Sequence, residues 1–109
     1  MAATTTSDSA PTTALDPVQY CSEAFNVAYL AEREKGVCNY DATKTGANAY
    51  RRAMPRLTTY ANIRDFIACV THGMVCHVIP NDDGTKLLYA SQVALTSLRA
   101  ERKSDLKTT

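Results

Sequence analysis

The sequence predicts a compact all-α domain of four helices, and three observations lead to that prediction. Apolar residues between positions 16 and 102 recur at helical spacing, and no stretch alternates as a strand does. Capping residues, glycine or proline bound each helical segment. The stretch from Asn62 to Leu98 holds two apolar segments around one polar turn, which predicts a central antiparallel hairpin, about 60–79 and 84–102.

The first helix has signals at both ends. Asp16 is a good N-cap, Pro17 suits the first turn, and Gln19 stands where a capping box needs it. We expect the helix to run to Lys35 and to stop at Gly36. Its main apolar stripe is Val18, Cys21, Phe25, Ala28 and Tyr29, and a second stripe is Tyr20, Ala24, Val27 and Ala31. The alanines of the second stripe would let another helix approach closely.

The second helix is the weakest of the four. Asp41 is its expected cap, and we expect it to end near Met54 because Pro55 follows. Thr58 or Thr59 then caps the third helix.

The third and fourth helices form the predicted hairpin. The third is expected over 60–79, where Pro80 stops it, and the turn Asn81–Gly84 leads into the fourth, which ends near Arg102. One face of the third helix carries Ile63, Phe66, Ile67, Val70, Met74 and Val78, and the nearly opposite face carries Asp65, Cys69, His72 and Cys76. A helix lined on both sides in this way usually lies inside a bundle or at an interface.

The two ends of the chain differ in composition from the middle. Residues 1–15 are rich in Thr, Ser and Ala and are expected to be a disordered segment, and residues 103–109 are expected to be a frayed tail. This leaves residues 16–102 as a single helical domain, near the size at which one core is only marginally sufficient. No apolar run reaches the roughly 18 residues of a membrane span, and no secretory pattern is present. Free thiols then fit a cytoplasmic location.

The net charge of +1 conceals a local basic block. Residues 1–40 carry five acids and two bases, whereas residues 42–64 carry five bases and no acid. The bases are Lys44, Arg51, Arg52, Arg56 and Arg64. Arginines near tyrosines suit phosphate contact and base stacking, so binding of a nucleic-acid backbone is an alternative function. The pI near 7.7 and the apolar third helix argue against a dedicated nucleic-acid domain, so we favour a protein partner.

The polar face of the third helix suggests a metal- or redox-responsive regulator as another alternative. Cys69, His72 and Cys76 are candidate ligands at helical spacing, with a further ligand needed from Cys38 or Cys21. No C-x2-C pair is present, and free cysteines are most often small buried packing residues, which is the interpretation we favour. A Cys69–Cys76 disulfide is excluded, because about 10 Å separates these residues along a helix and a disulfide needs Cα atoms within roughly 7 Å.

The residues do not predict an enzyme. A Cys–His nucleophile pair needs a thiol near a helix N-terminus or a cationic patch, and these thiols lie in the middle and late turns of an apolar helix. The glycines are isolated, so no phosphate-binding loop is present, and the Asp82–Asp83 turn lacks the alternating oxygen ligands of a calcium loop. We therefore expect no catalytic residues, no cofactor and no small-molecule substrate.

Three strings between residues 49 and 98 carry a resemblance. They are AYRRAMPRL, NIRDFIACVTHGM and LLYASQVALTSL. This block resembles small uncharacterised helical proteins of soil bacteria and their mobile elements. The resemblance implies a bacterial, cytoplasmic setting and brings neither an activity nor site residues.

The sequence as a whole favours a non-enzymatic protein-interaction module. The apolar surface on two sides of the third helix is more than a small monomer covers easily. The module is expected to bind itself, as a homodimer, or a partner protein. By analogy it would be a small bacterial accessory or regulatory/inhibitor protein.

Overall fold

The computed structural model describes residues 16–108, and side chains over residues 16–105. Four helices follow one another: α1 (Pro17–Glu34), α2 (Asn39–Ala53), α3 (Tyr60–Val75) and α4 (Asn81–Thr108). The described residues contain no strand, so the predicted all-α, four-helix class is confirmed. The segment predicted to be disordered, residues 1–15, lies outside the described part of the chain.

The ends of α1 lie within one residue of the prediction, because both signals are local. The Asp16 side chain accepts a hydrogen bond from the Gln19 backbone N–H at 3.4 Å. Gly36 has φ 89° and donates its N–H to the Arg33 carbonyl at 3.0 Å. These are the bonds of an N-cap and of a left-handed C-terminal cap.

The second helix begins earlier than predicted. Cys38 is its N-cap, and Asp41, the expected cap, instead lies in the first turn. A carboxylate there still favours the helix, because it faces the positive end of the helix dipole. The helix ends at Ala53, as expected from Pro55.

The predicted end of the third helix, Ile79, is wrong by four residues. The chain leaves the helix after Val75, and His77 adopts a left-handed conformation with φ 61°. The His77 N–H donates to the Met74 carbonyl at 3.2 Å, and the next N–H donates to the Gly73 carbonyl at 2.8 Å. This bonding ends a helix without Pro80, and histidine tolerates the left-handed region better than most side chains do.

The fourth helix is longer than predicted at both ends. It begins at Asn81 rather than Gly84, and the Gly84 N–H donates to the Pro80 carbonyl at 2.8 Å. The predicted polar turn is therefore its first turn, where Asp82 and Asp83 suit the helix dipole. At the other end the helix continues past Arg102, through Thr108.

Two helical hairpins build the domain. The most extensive contact between helices is α1–α2, followed by α3–α4, and the smaller α1–α3 contact joins the two hairpins. Met74 lies against Gly84 at one end of the α3–α4 pair, and Tyr60 and Arg99 line one cleft at the other. These contacts confirm the predicted antiparallel hairpin. A Cβ at Gly46 of α2 would lie 2.9 Å from the ring of Phe25 in α1, so glycine permits the close approach of α2.

The buried side of α3 lies between the two faces that the sequence predicted. Ile63, Phe66 and Val70 are buried from one face and Cys69 from the other, while Ile67 is 37% exposed. The centre of the core is a cluster with one member from each of α1, α2, α3 and the α3–α4 connection: Cys21, Tyr50, Cys69 and Ile79.

Candidate functional site

The outer face of α1 carries the second apolar stripe, and the described structure leaves it open to solvent. Tyr20 is 56% exposed, Val27 is 62% exposed, and Leu30 beside them is 58% exposed. The stripe borders an open cleft of about 480 Å³ lined by Tyr20, Glu23, Ala24, Val27, Ala28, Ala31 and Ala49. All of these but Glu23 are apolar or aromatic, so the cleft suits an apolar partner surface.

The local sequence explains why this face remains uncovered. The main stripe of α1 is the side that enters the core, where Cys21 is fully buried and Phe25 packs against the cluster. The second hairpin contacts α1 through α3, on that inner side. Ala49 is the residue by which α2 lines the cleft on the outer face.

The predicted basic block is partly neutralised. Arg51 donates to the Asp83 carboxylate at 2.7 Å, an ion pair that ties α2 to the first turn of α4. Arg64 pairs with Asp65 beside it at 3.3 Å. In water-exposed pairs of this kind the net gain is small, but each removes a free positive charge from the surface.

The remaining bases of the block are Lys44, Arg52 and Arg56. The Lys44 ammonium lies 4.8 Å from the centroid of the Tyr40 ring, a cation–π contact. Lys44 shares an open cleft of about 560 Å³ with the ion-paired Arg51. Arg52 and Arg56 are exposed. Of the five bases, two are therefore ion-paired, one contacts an aromatic ring, and two are exposed.

A second cationic cleft was missed by the sequence analysis. It has a volume of about 460 Å³ and is lined by Tyr60, Thr96, Arg99, Ala100, Arg102 and Lys103. It lies between the start of α3 and the late turns of α4, so it depends on the antiparallel packing of these helices. It also includes Lys103, which is helical in the structure and was predicted to belong to the tail. Arg99, Arg102 and Lys103 are spaced to lie on one face of a helix, and this spacing could have predicted the cationic cleft from the sequence.

The predicted Cys/His stripe is divided into two pairs. The Cys21 thiol donates to the Cys69 sulfur at 3.7 Å, and both residues are fully buried. At the exposed end of α3, the Cys76 sulfur lies 3.4 Å from the His72 Nε2. Cys69 is thus directed towards α1, away from the His72–Cys76 pair. Over the described residues, no three His, Cys, Asp or Glu side chains lie close enough together to hold a metal ion.

The Cys21–Cys69 pair lies in an apolar environment that keeps both thiols neutral. Burial, followed by the neighbouring Cys21 sulfur, raises the pKa of the Cys69 thiol to about 12. Burial also raises the pKa of Cys21, which the hydrogen bond to Cys69 only partly offsets. The Tyr50 hydroxyl donates to the Cys69 carbonyl at 2.6 Å, and burial raises the pKa of this phenol as well. Neither thiol is an activated nucleophile in the closed structure.

The His72–Cys76 pair borders a smaller cleft of about 260 Å³, which also contacts Phe25, Asn26 and Tyr50. Cys76 is the C-cap of α3.

None of the four helices, over the part of the chain that the structure describes, has the length and apolarity needed to cross a membrane.

Comparisons of the chain with protein-family models, with curated proteins and with solved structures gave no match. The resemblance of residues 49–98 to helical proteins of soil bacteria and their mobile elements therefore stays a prediction.

Proposed function

We propose that the protein is a non-enzymatic interaction module, and that the outer face of α1 binds the same face of a second copy of the chain. The observation that carries the proposal is the order of side-chain sizes along this exposed face. Large and small residues alternate at helical spacing, as Tyr20, Ala24, Val27 and Ala31.

This order makes the face complementary to itself. A two-fold axis between Ala24 and Val27, with the helices antiparallel, places Val27 opposite the partner's Ala24. The same axis places Tyr20 opposite the partner's Ala31. Each large side chain then meets a small one, which allows two helices to approach closely. A homodimer with two-fold symmetry uses one such patch on both subunits.

The expected strength of this association is modest. Burying a large apolar side chain contributes about 1.5–3 kcal/mol, and Tyr20, Val27 and Leu30 are each more than half exposed in the single chain. Association itself costs roughly 4–15 kcal/mol, and one helix pair is a small interface. We therefore expect a dimer that dissociates on dilution.

The test is the solution mass of the reduced protein over a range of concentrations, by light scattering behind size exclusion. The wild-type mass is expected to rise from one chain towards two. Val27→Lys places a charge at the centre of the proposed interface and is expected to remain monomeric. Val75→Lys is the matched control, because Val75 is 72% exposed at the end of α3, on a different helix. A monomeric wild type, or a Val27→Lys protein that still dimerises, would refute the proposal.

A second candidate function is binding of a nucleic-acid backbone, and the cleft beside Tyr60 is the observation that favours it. Its three cationic side chains can contact phosphates, and its aromatic ring can stack on a base. Arg64, from the predicted basic block, stands one helical turn after Tyr60, but it is paired with Asp65, so the candidate rests on the bases of α4.

The double variant Arg99→Ala/Lys103→Ala tests this candidate. It is expected to weaken binding of a single-stranded oligonucleotide and to reduce the salt dependence by about 0.7 logarithmic units per lost phosphate contact. Fluorescence anisotropy at several salt concentrations measures both. Lys86→Ala is the control, because Lys86 is exposed near the other end of α4. Affinity that does not change with salt, or an equal loss in the control, would exclude the cleft.

A further inference from the structure

We propose that Cys21 and Cys69 are a site of reversible oxidation, at which exchange with a small-molecule disulfide such as oxidised glutathione links α1 to α3 by an intramolecular disulfide. This proposal is independent of self-association through the outer face of α1. Cys21 is fully buried, whereas Tyr20 and Val27 of the outer face are exposed.

The geometry of the two sulfur atoms carries the proposal. They are 3.7 Å apart, belong to different helices, and come from positions 48 residues apart in the sequence. A disulfide has an S–S length of roughly 2.05 Å, so the two atoms need to approach by about 1.6 Å. The other two cysteines are placed differently. Cys38 and Cys76 are both exposed, and the Cys76 sulfur contacts His72.

The position of the pair in the fold determines when it can react. Cys21 and Cys69 lie at the α1–α3 contact, which is the smaller contact that joins the two hairpins. Both sulfur atoms are closed to solvent, so oxidised glutathione can reach one of them only when the hairpins separate locally. The reaction is therefore expected to be slow in the closed protein and to follow the frequency of this opening.

The chemistry is two consecutive thiol–disulfide exchanges. In the open form one thiol loses its proton, and the thiolate attacks a sulfur of oxidised glutathione, which breaks the glutathione S–S bond and releases one glutathione. The second cysteine, also as the thiolate, attacks the protein sulfur of this mixed disulfide and releases the second glutathione. The protein loses two protons and two electrons, and the two glutathione thiols gain them. The product holds the two hairpins together covalently.

The protein with the Cys21–Cys69 disulfide should be more stable than the reduced protein. The new bond closes a loop of 48 residues, which restricts the unfolded chain far more than the folded one. We expect the thermal midpoint to rise by at least roughly 5 °C after oxidation. A reductant should return it to its original value.

The test uses the full chain carrying Cys38→Ser and Cys76→Ser, which leaves the buried pair as its cysteines. The reduced protein is incubated with oxidised glutathione, quenched by alkylation and mapped by mass spectrometry. The expected product is a Cys21–Cys69 link with no added glutathione, formed faster in mild urea that promotes opening. The same chain with Cys21→Ala in addition is the control, and it should retain glutathione as a stable mixed disulfide on Cys69.

Two results would overturn the proposal. One is a protein that accumulates glutathione without forming the internal link. The other is a linked protein whose thermal midpoint lies below that of the reduced form, since the bond would then not fit the folded structure. If the serine variants fail to fold, the oxidation is repeated on the wild-type chain. Peptide mapping then shows whether the Cys21–Cys69 link has formed.

Discussion

Replacing Tyr50 by alanine is expected to lower the free energy of unfolding by about 3–5 kcal/mol, the usual cost of deleting a buried aromatic ring. Tyr50 is 1% exposed and packs in the central cluster with Cys21, Cys69 and Ile79. Its ring belongs to α2, and its partners belong to α1, α3 and the α3–α4 connection. Domains of this size are stable by about 5–15 kcal/mol, so the variant would be near unfolding.

Two further variants test the hydroxyl group of Tyr50 and provide a surface control. Tyr50→Phe keeps the ring and removes only the 2.6 Å hydrogen bond to the Cys69 carbonyl, for an expected loss of about 0.5–1.5 kcal/mol. Tyr89→Ala removes a tyrosine that is 70% exposed and should change stability by no more than about 0.5 kcal/mol. Urea unfolding of the three reduced variants measures these differences. Similar losses for Tyr50→Ala and Tyr89→Ala would contradict the central position of Tyr50.

Raising the pH above about 9 is expected to destabilise the reduced protein steeply. An ordinary thiol has a pKa of 9.0, and the folded structure raises that of Cys69 to about 12. Between these values the unfolded chain releases the proton of this thiol while the folded chain retains it. The unfolded state then binds fewer protons, so stability is fully present below pH 9 and falls as the pH rises towards 12, by up to about 1.4 kcal/mol per pH unit for one thiol.

The contribution of this thiol can be isolated by comparing slopes. Other groups also titrate at alkaline pH, so the informative quantity is the change in the slope of unfolding free energy against pH. Cys69→Ala removes the buried thiol and is expected to give a shallower slope, even though the variant is less stable at neutral pH. Cys76→Ala is the matched control, because it removes an exposed thiol instead. Equal slopes for Cys69→Ala and the wild type would show that Cys69 is not protected in the folded state.

Helix ends were predictable where the signal was local. Asp16 and Gly36 each act within a few residues, and the structure has α1 between them. The end of α3 was not predictable in this way, because its left-handed residue is His77 and the nearest conventional stop signal is Pro80. The earlier end of α3 is explained by tertiary packing. It lets the chain turn back so that Ile79 enters the core, where this residue is 1% exposed.

The candidate sites also differ in whether they depend on one helix or on contacts between distant residues. Periodicity identified the outer stripe of α1, residue by residue, since it depends on one helix alone. Periodicity could not predict contacts between residues that are distant in the sequence. The Arg51–Asp83 ion pair joins positions 32 residues apart, and it gives one base of the predicted basic block a structural contact. The Cys21–Cys69 pair spans 48 residues, and helix spacing could compare only cysteines on the same helix.

The connection between α3 and α4 has a consequence for how this chain can be cut or lengthened. Ile79 lies within the connection and is also a core residue, packed so closely that a Cβ on Gly73 would lie 2.8 Å from its Cδ1 atom. By contrast, the α1–α2 connection turns at Gly36, which has no neighbour that an added Cβ would touch. A circular permutation or a domain fusion therefore belongs between α1 and α2, whereas the same operation beside Ile79 would remove part of the protein's interior.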